Sequence, residues 1–200
     1  MPTRGGDTRA RILTASAELF ARQGYHGTGL SELLEAVGLG KGGLYHHITS
    51  KEQLLLEIML GPIDRVLASS DRILAGDADA TTKLRALGTD LGGAMAADLA
   101  AWTVFLREYS ALGQTGKTQV LQRRQDYLDR WRRVLADGAA VGEFRELDLA
   151  FVESVLGLFI YTFVWDRNSS PPEALTDSIM GVLMHGVCAP TRRRGGAKRT

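Results

Sequence analysis

Residues 24–51 constrain the fold of this chain more than any other part of its sequence. They read GYHGTGLSELLEAVGLGKGGLYHHITSK, in which Leu30–Val37 and Lys41–Ile48 have the apolar spacing of two short helices. A tight turn that contains glycines joins the pair. Two short helices joined in this way form a helix-turn-helix. The sequence therefore predicts such a unit here, packed against an opening helix over residues 10–20.

Apolar residues recur at helical spacing through the rest of the chain, and strong β-strand signals are scarce. With 44% hydrophobic residues among 200, the chain can bury a substantial core. We therefore expect an all-α fold of about nine helices. Three parts are predicted: an N-terminal three-helix helix-turn-helix domain (1–50), a larger helical bundle for ligand binding and dimerisation (51–189), and a disordered basic tail (190–200).

The segment after the helix-turn-helix begins with a helix cap. Ser50-Lys51-Glu52-Gln53 combines a capping serine with a glutamine three residues later, which predicts a fourth helix from Lys51 to Leu60. Gly61-Pro62 should break or kink that helix, because proline lacks an amide hydrogen. Further apolar helical patterns follow, with a polar break at 114–117. These patterns cover residues 81–99, 102–112, 119–140, 148–165 and 170 or 171 to 185.

Charge and cysteine content narrow the classes of protein to consider. The arginine and lysine residues between 192 and 199 have no acid among them, so the rest of the chain is net acidic although the whole carries +1. Nucleic-acid binding then requires a local basic patch. The single cysteine excludes an intrachain disulfide, and no apolar run reaches the length of a membrane helix, about 18 residues. We expect a cytoplasmic protein without a membrane segment.

The second short helix carries the residues expected to face DNA. Leu44 and Ile48, four apart, should point into the core. The backbone N–H groups at the N-terminus of a glycine-rich helix are not covered by side chains, so a phosphate can approach them closely. Lys51, at the start of the next helix, can reach a phosphate too. The outward face of the second helix consists of Lys41, Gly42, Gly43, Tyr45 and His46.

From about Arg9 to Leu56 the sequence resembles the DNA-binding domain of the TetR family of repressors. The matching residues are Ile12-Leu13, Ala15, Glu18-Leu19-Phe20-Ala21, Gly24-Tyr25, Thr28, Leu33, Ala36-Val37-Gly38, Lys41-Gly42, Leu44-Tyr45-His46-His47, Ser50-Lys51-Glu52 and Leu54-Leu55. In that family the helix that matches Lys41–Ile48 enters the major groove. The resemblance implies phosphate contacts by Thr28, Tyr45 and Lys51, and positions near base edges for Lys41, Gly43 and His46.

Four positions depart from that family's pattern: Gly29, Gly40, Gly43 and Ile48. Gly43 removes a side chain that often reads a base, so recognition should depend on Lys41, Tyr45 and His46 or on DNA shape. Glycines also weaken a short helix by about 1 kcal/mol each relative to alanine. An alternative therefore stays open: a helical protein-interaction module with a weakened helix-turn-helix.

Aromatic residues are the main signal in the larger domain. Helices over 98–112, 119–140 and 149–167 carry them at helical spacing, and pockets between bundle helices commonly have such walls. Either these residues pack a plain core, or some of them surround a cavity for a small-molecule effector. The candidate cavity residues are Trp102, Phe105, Tyr109, Tyr127, Trp131, Phe159 and Thr162.

A weaker resemblance concerns the effector. The stretch from Arg123 to Leu135, with the later residues Gly142-Glu143-Phe144 and Trp165, is similar to TetR-type regulators that respond to fatty acyl-CoA or steroid-derived CoA thioesters. The resemblance implies an acyl group among aromatic side chains and CoA phosphates at Arg123 or Arg124. Another lipid-like, aromatic or hydrophobic effector fits the same pattern. The alternative is a charged, solvated face on a long helix.

The last two predicted helices are more apolar than one domain can cover. We expect a homodimer through residues 149–167 and 173–187, whose twofold axis matches a palindromic operator. An effector should shift the segment 102–112 or its neighbour, and the fourth helix should pass that shift to the recognition helix. The resemblance to the family implies a repressor, and we expect the effector to release it from the operator.

No pattern in the sequence indicates an enzyme. There is no nucleophile–base arrangement, no pair of carboxylates in a setting that can be placed and no cofactor fingerprint. Neither His46-His47 nor any Cys/His group has the spacing of metal ligands. We therefore expect double-stranded operator DNA, a small-molecule effector and a second copy of the chain as partners, with no catalytic residue, metal or cofactor.

Overall fold

The computed structural model describes residues 4–148, 150–165 and 170–188, and side chains from residue 8 onward. Within these ranges the chain forms nine α-helices, a 3-10 turn at Tyr109–Ala111 and an isolated bridge between Phe144 and Cys188. The all-α fold predicted from the sequence is confirmed, whereas the predicted tail 190–200 lies outside the described residues. The helices are α1 (Arg4–Gln23), α2 (Leu30–Val37), α3 (Lys41–His47), α4 (Lys51–Ala75), α5 (Ala80–Ala97), α6 (Leu99–Arg107), α7 (Gln114–Ala140), α8 (Phe151–Trp165) and α9 (Pro172–Val187).

The first three helices and the start of α4 pack around a common core. Glycines with positive φ follow α1 at Gly24 (81°) and α2 at Gly38 (66°), in a backbone conformation that glycine adopts without steric cost. These turns set α2 and α3 as a helix-turn-helix, as the sequence predicts. The most buried core residues are Ile12, Phe20, Leu33, Leu44, Leu54, Leu55 and Met59.

Helix α4 connects the two cores of the molecule. Ser50 caps it as predicted, because the serine hydroxyl oxygen accepts a hydrogen bond from the Gln53 amide at 3.0 Å. The first turns of α4 add apolar residues to the N-terminal core, and Val104 of α6 and Val120 of α7 join the same core. Packing therefore continues across the predicted domain boundary at residue 50.

The predicted end of the fourth helix at Leu60 is wrong. Helix α4 continues through Gly61-Pro62 and ends at Ala75. Proline at this position removes a backbone hydrogen bond, but its ring is buried, and the following residues bury Ile63 and Val66 against the second core. Tertiary packing of one continuous apolar face outweighs the local cost of the proline.

The second core lies between α5, α7, α8, α9 and the second half of α4. Trp131 and Phe159 are among its largest fully buried side chains, and their rings meet edge to face at 6.2 Å. Small residues let α5 and α9 approach closely. A β-carbon on Gly92 would lie 2.0 Å from Thr176 Oγ1, so any larger residue here requires the Thr176 side chain or α9 to shift.

The connection between α6 and α7 differs from the one predicted. The segment 102–112 is not one helix, because α6 ends at Arg107 and the 3-10 turn follows. The predicted polar break at 114–117 is instead the first turn of α7, which begins after Gly113. None of the helices in the described part of the chain is long and apolar enough to cross a membrane.

Candidate DNA-binding surface and effector cavity

Helix α3 has one buried face and one exposed face. Leu44 and Ile48 are 0% and 4% exposed and attach the helix to the N-terminal core, as predicted. The predicted DNA-binding positions on α3 share a solvent-facing surface. They are Lys41, Gly42, Gly43, Tyr45 and His46. Contact between this surface and DNA stays a prediction.

The glycines of α3 are not required by the packing around them. A β-carbon at Gly40 or Gly42 would meet nothing within 4 Å, and one at Gly43 would touch only the Leu39 side chain at 3.8 Å. No side chain caps the start of α3, where the N-cap residue is Gly40. The open space on this side leaves room for a nucleic-acid backbone to approach closely.

Thr28 and Lys51, two predicted phosphate contacts, already have partners inside the domain. Thr28 is buried, and its hydroxyl donates to the Gly24 carbonyl at 2.8 Å. The Lys51 ammonium donates to the carbonyls of Tyr25 and Thr28 and lies 4.2 Å from the centroid of the Tyr25 ring. Burial lowers the pKa of Lys51, and nearby carboxylates act in the opposite direction. Both residues therefore stabilise the turn after α1, and a phosphate contact by either stays a prediction.

A cavity of about 460 Å³ lies between α4, α5, α6, α7 and α8. Its wall is mostly apolar and includes the buried side chains of Ile63, Leu91 and Met95. The sequence did not single out these three, because aliphatic residues at helical spacing look the same in a core and in a cavity wall. Four predicted cavity residues line the cavity: Trp102, Phe105, Tyr109 and Tyr127.

The other three predicted cavity residues, Trp131, Phe159 and Thr162, do not line this cavity. Trp131 and Phe159 pack against each other in the second core, so their rings are core residues and do not form part of the cavity wall. A different stripe of α8 residues, spaced three or four positions apart on one side of the helix, lines the cavity. That stripe is Glu153, Leu156, Gly157, Ile160 and Tyr161.

A charged pair lies at the cavity mouth. Arg124 Nη1 and Glu153 Oε1 are 3.0 Å apart, and both residues line the cavity although their side chains are 45% and 48% exposed. The neighbouring Arg123 does not line the cavity and pairs instead with Asp64 of α4 at 2.8 Å. Of the two arginines that the sequence offers for an anionic group, the structure therefore favours Arg124.

Two buried polar atoms, the Tyr127 hydroxyl and the Trp131 indole nitrogen, make no hydrogen bond of ordinary geometry with the described residues. Burial raises the pKa of Tyr127 well above its usual value, so this hydroxyl keeps its proton. The Trp131 N–H nevertheless lies close enough to Tyr127 to act on its pKa, which it lowers against the larger effect of burial. Buried polar groups without partners are uncommon. Because Tyr127 also lines the cavity, its hydroxyl is a candidate partner for a polar atom of an effector.

Two carboxylates link the segment between α6 and α7 to the first turn of α4. The Glu52 carboxylate, in the first turn of α4, accepts a hydrogen bond from the Gly113 amide at 2.8 Å. Glu108 directly precedes the cavity-lining Tyr109, and its charge favours the ammonium form of Lys51. The segment between α6 and α7 thus touches both the cavity and the DNA-binding domain.

The outer sides of α8 and α9 carry exposed apolar side chains. Leu158 and Trp165 on α8 are 46% and 65% exposed, and Val182 on α9 is 71% exposed. These positions fall within the predicted dimer ranges 149–167 and 173–187, of which residues 149, 166 and 167 lie outside the described part. The dimer itself stays a prediction.

Comparison with known proteins agrees with this arrangement. A family model described as bacterial regulatory proteins, tetR family, matches residues 12–58, and one described as tetracyclin repressor-like, C-terminal domain, matches residues 77–187. The transcriptional repressor KstR2 of Rhodococcus jostii is 31% identical over 190 residues, which cover 91% of this chain and 92% of that protein.

Solved structures have the same fold. PfmR, a TetR family transcriptional regulator from Thermus thermophilus, has a TM-score of 0.82 at 27% identity and covers 88% of this chain and 97% of its own. AibR, solved in complex with isovaleryl coenzyme A and operator DNA, has a TM-score of 0.77 at 26% identity, with coverage of 88% and 97%. The family models and the full-length relative together show that this chain belongs to the TetR family of bacterial transcriptional regulators, which bind DNA and respond to ligands.

Proposed function

We propose that this chain is a cytoplasmic, homodimeric repressor that binds a palindromic operator through α3 and leaves it when a CoA thioester occupies the cavity. The observation that carries the proposal is an apolar cavity with an arginine at its mouth, together with a hydrogen bond to Glu52, at the start of α4, from Gly113 in the segment that follows the wall residue Tyr109. The relative KstR2, a repressor, supports the repressor role, and AibR, solved in complex with isovaleryl coenzyme A and operator DNA, supports the effector class and the binding of operator DNA.

The size and lining of the cavity favour an acyl or ring-bearing body as the buried part of the effector. Its volume of about 460 Å³ lies in the range of small-molecule sites. This space suits the acyl part of a thioester, whereas the CoA part would extend past the mouth. There Arg124 can exchange its exposed partner Glu153 for a phosphate, which offers a stronger charge-assisted bond.

The exposed apolar side chains of α8 and α9 support pairing with a second copy of the chain. Large exposed apolar patches on a soluble protein usually mark an interface. Pairing through Leu158, Trp165 and Val182 buries them and relates two α3 helices by a twofold axis. A twofold protein matches a palindromic operator with half-sites about one helical turn apart or a multiple of it.

The segment between α6 and α7 gives the cavity a route to the DNA-binding domain. An effector that displaces Tyr109 or the start of α7 changes the position of Gly113, and Glu52 then follows or loses its hydrogen bond. Because Glu52 follows α3 by only a few residues, movement of the first turn of α4 alters the placement of the recognition helix. A ligand acts in this way only if it binds the released form more tightly.

Selection of duplexes from a random DNA pool by the full-length chain tests the DNA part of the proposal. We expect the selected sequences to share an inverted repeat and to bind two chains per duplex. Calorimetry with isovaleryl-CoA, octanoyl-CoA and benzoyl-CoA, and with CoA and octanoate as controls, tests the effector class. Selected sequences without a repeat would contradict the dimeric site, and thioesters that bind no better than CoA would contradict the effector class.

A further inference from the structure

Arg9 of α1 binds the end of the recognition helix. Its Nη1 donates to the carbonyl of His47, the last residue of α3. Its Nη2 lies 2.7 and 2.6 Å from the two carboxylate oxygens of Glu57 on α4, and the Gln53 side-chain amide donates to the same carboxylate at 3.1 Å. One arginine therefore joins three helices of the DNA-binding domain at the C-terminal end of α3.

Helix α3 has few other attachments. It has 7 residues, among them Gly42 and Gly43, and Leu44 is its one buried residue. Such a short, glycine-containing helix is weak in isolation. The last carbonyls of a helix lack partners within the helix, and a cation near them also interacts favourably with the helix dipole. Arg9 supplies a charged donor at this end of a helix that little else supports.

We propose that Arg9 is a positioning residue for operator recognition, which holds α3 at its angle while Glu57 holds the guanidinium in place. An arginine on a DNA-binding domain would ordinarily be assigned to a phosphate. Here the guanidinium already donates to both carboxylate oxygens of Glu57, so it is bound within the protein and not available to a phosphate. Arg9 therefore acts on affinity through the placement of α3 and adds nothing to the salt dependence of binding. The inference rests on the proposed operator contacts of α3.

Arg9→Lys separates a positioning role from a phosphate contact. Lysine keeps the charge but lacks the planar fork that reaches the His47 carbonyl and Glu57 together. Fluorescence anisotropy of the full-length chain on a selected operator, at salt concentrations of about 50–200 mM, gives both affinity and salt slope. We expect Arg9→Lys to weaken operator binding about tenfold, with an unchanged slope and unchanged binding to non-specific DNA.

The matched control is Arg22→Lys, the same substitution on the same helix. Arg22 is exposed, and its side chain makes no hydrogen bond or ion pair with the described residues. We expect this variant to bind the operator as the wild type does. Glu57→Gln should weaken binding as Arg9→Lys does, and the double variant should lose less than the two single losses combined, because the two side chains act as one unit.

Hydrogen exchange reports on α3 without DNA. The Ile48 amide donates to the Leu44 carbonyl at 3.1 Å and lies beside the Arg9 contact. We expect this amide to exchange about tenfold faster in Arg9→Lys and in Glu57→Gln, while the Leu33 amide of α2, which donates to the Gly29 carbonyl, keeps its rate. Global unfolding caused by either variant would accelerate both amides and is thereby recognised.

A phosphate contact by Arg9 predicts the opposite pattern. Arg9→Lys would then bind the operator normally, and Glu57→Gln would free Arg9, tighten binding to all DNA and steepen the salt slope by about 0.9. That pattern, or unchanged exchange at Ile48, would overturn the inference. If the wild type binds no selected operator, the proposed function fails, whereas the exchange rates still decide whether Arg9 holds α3.

Discussion

Glu52 and Gly113 are 61 positions apart in the chain, and the Glu52 carboxylate accepts a hydrogen bond from the Gly113 amide at 2.8 Å. Glu52 lies in the first turn of α4, directly after the helix-turn-helix. Gly113 precedes α7, whose residues Arg124 and Tyr127 line the cavity. This bond therefore links the start of a cavity-lining helix to the DNA-binding domain.

Removing the Glu52 acceptor should uncouple the cavity from the operator. The coupling is the ratio of the operator Kd with thioester to the operator Kd without it. We expect Glu52→Ala to lower this ratio at least about threefold, because coupling free energies are only about 1–3 kcal/mol. Glu52→Gln keeps an acceptor oxygen and should retain most of the coupling. The measurement is operator Kd for each variant with and without octanoyl-CoA. Equal coupling in Glu52→Ala and the wild type would show that the signal takes another route.

Arg124 should contribute to affinity for a thioester through its charge at the cavity mouth. We expect Arg124→Gln to weaken octanoyl-CoA binding about tenfold, because a charge-assisted hydrogen bond to a phosphate is lost. Arg123→Gln is the matched control: Arg123 is next in sequence, pairs with Asp64 and does not line the cavity. Isothermal titration calorimetry compares the two. Similar losses in both variants would indicate a diffuse effect of surface charge and contradict a specific contact.

Adjacent glycines on α5 should respond in opposite ways to alanine. At Gly92 a β-carbon would lie 2.0 Å from Thr176 Oγ1, so Gly92→Ala should lower the free energy of unfolding by about 1–3 kcal/mol. At Gly93 a β-carbon meets nothing within 4 Å. Gly93→Ala should therefore raise stability by about 0.5–1 kcal/mol, because alanine is the better helix former. Urea unfolding gives both values, and a destabilised Gly93→Ala would argue against this packing of α5.

A charge on the outer face of α8 should separate the proposed dimer. Leu158 is 46% exposed in the single chain, and Leu158→Glu would bury a carboxylate in the proposed interface. We expect a shift from dimer to monomer in light scattering, together with weaker operator binding. Val141→Glu, at a 72% exposed position beyond α7, serves as control and should stay dimeric. A Leu158→Glu variant that remains dimeric would exclude this face as the interface.

The helix-turn-helix could be predicted because its determinants are local. Gly24 and Gly38 mark its turns, Ser50 marks the next helix start, and Leu44 and Ile48 fix the inward face of α3 by their spacing. Each of these signals acts within a few residues. The bounds predicted for α2 and α3 therefore agree with the structure to within one residue, whereas α1 runs from Arg4 to Gln23 and is longer than the predicted 10–20.

The cavity could be predicted only in part, because its shape depends on contacts distant in sequence. Helix α8 is apolar nearly all round, so its sequence does not show that Gly157 and Tyr161 face the cavity whereas Phe159 faces the core. Pro62 is a helix breaker by local rules, and only the packing of the whole of α4 overrides it. The Glu52–Gly113 bond has no local signal at all.

The central claim is that occupation of the cavity changes operator affinity. The most direct test is the Kd of the full-length chain for its selected operator, with saturating octanoyl-CoA and with CoA alone. The account predicts that the thioester weakens binding by a factor of about 5–150, that CoA alone does not, and that the operator weakens octanoyl-CoA binding by the same factor. An operator Kd that stays constant while calorimetry shows octanoyl-CoA bound would contradict the account.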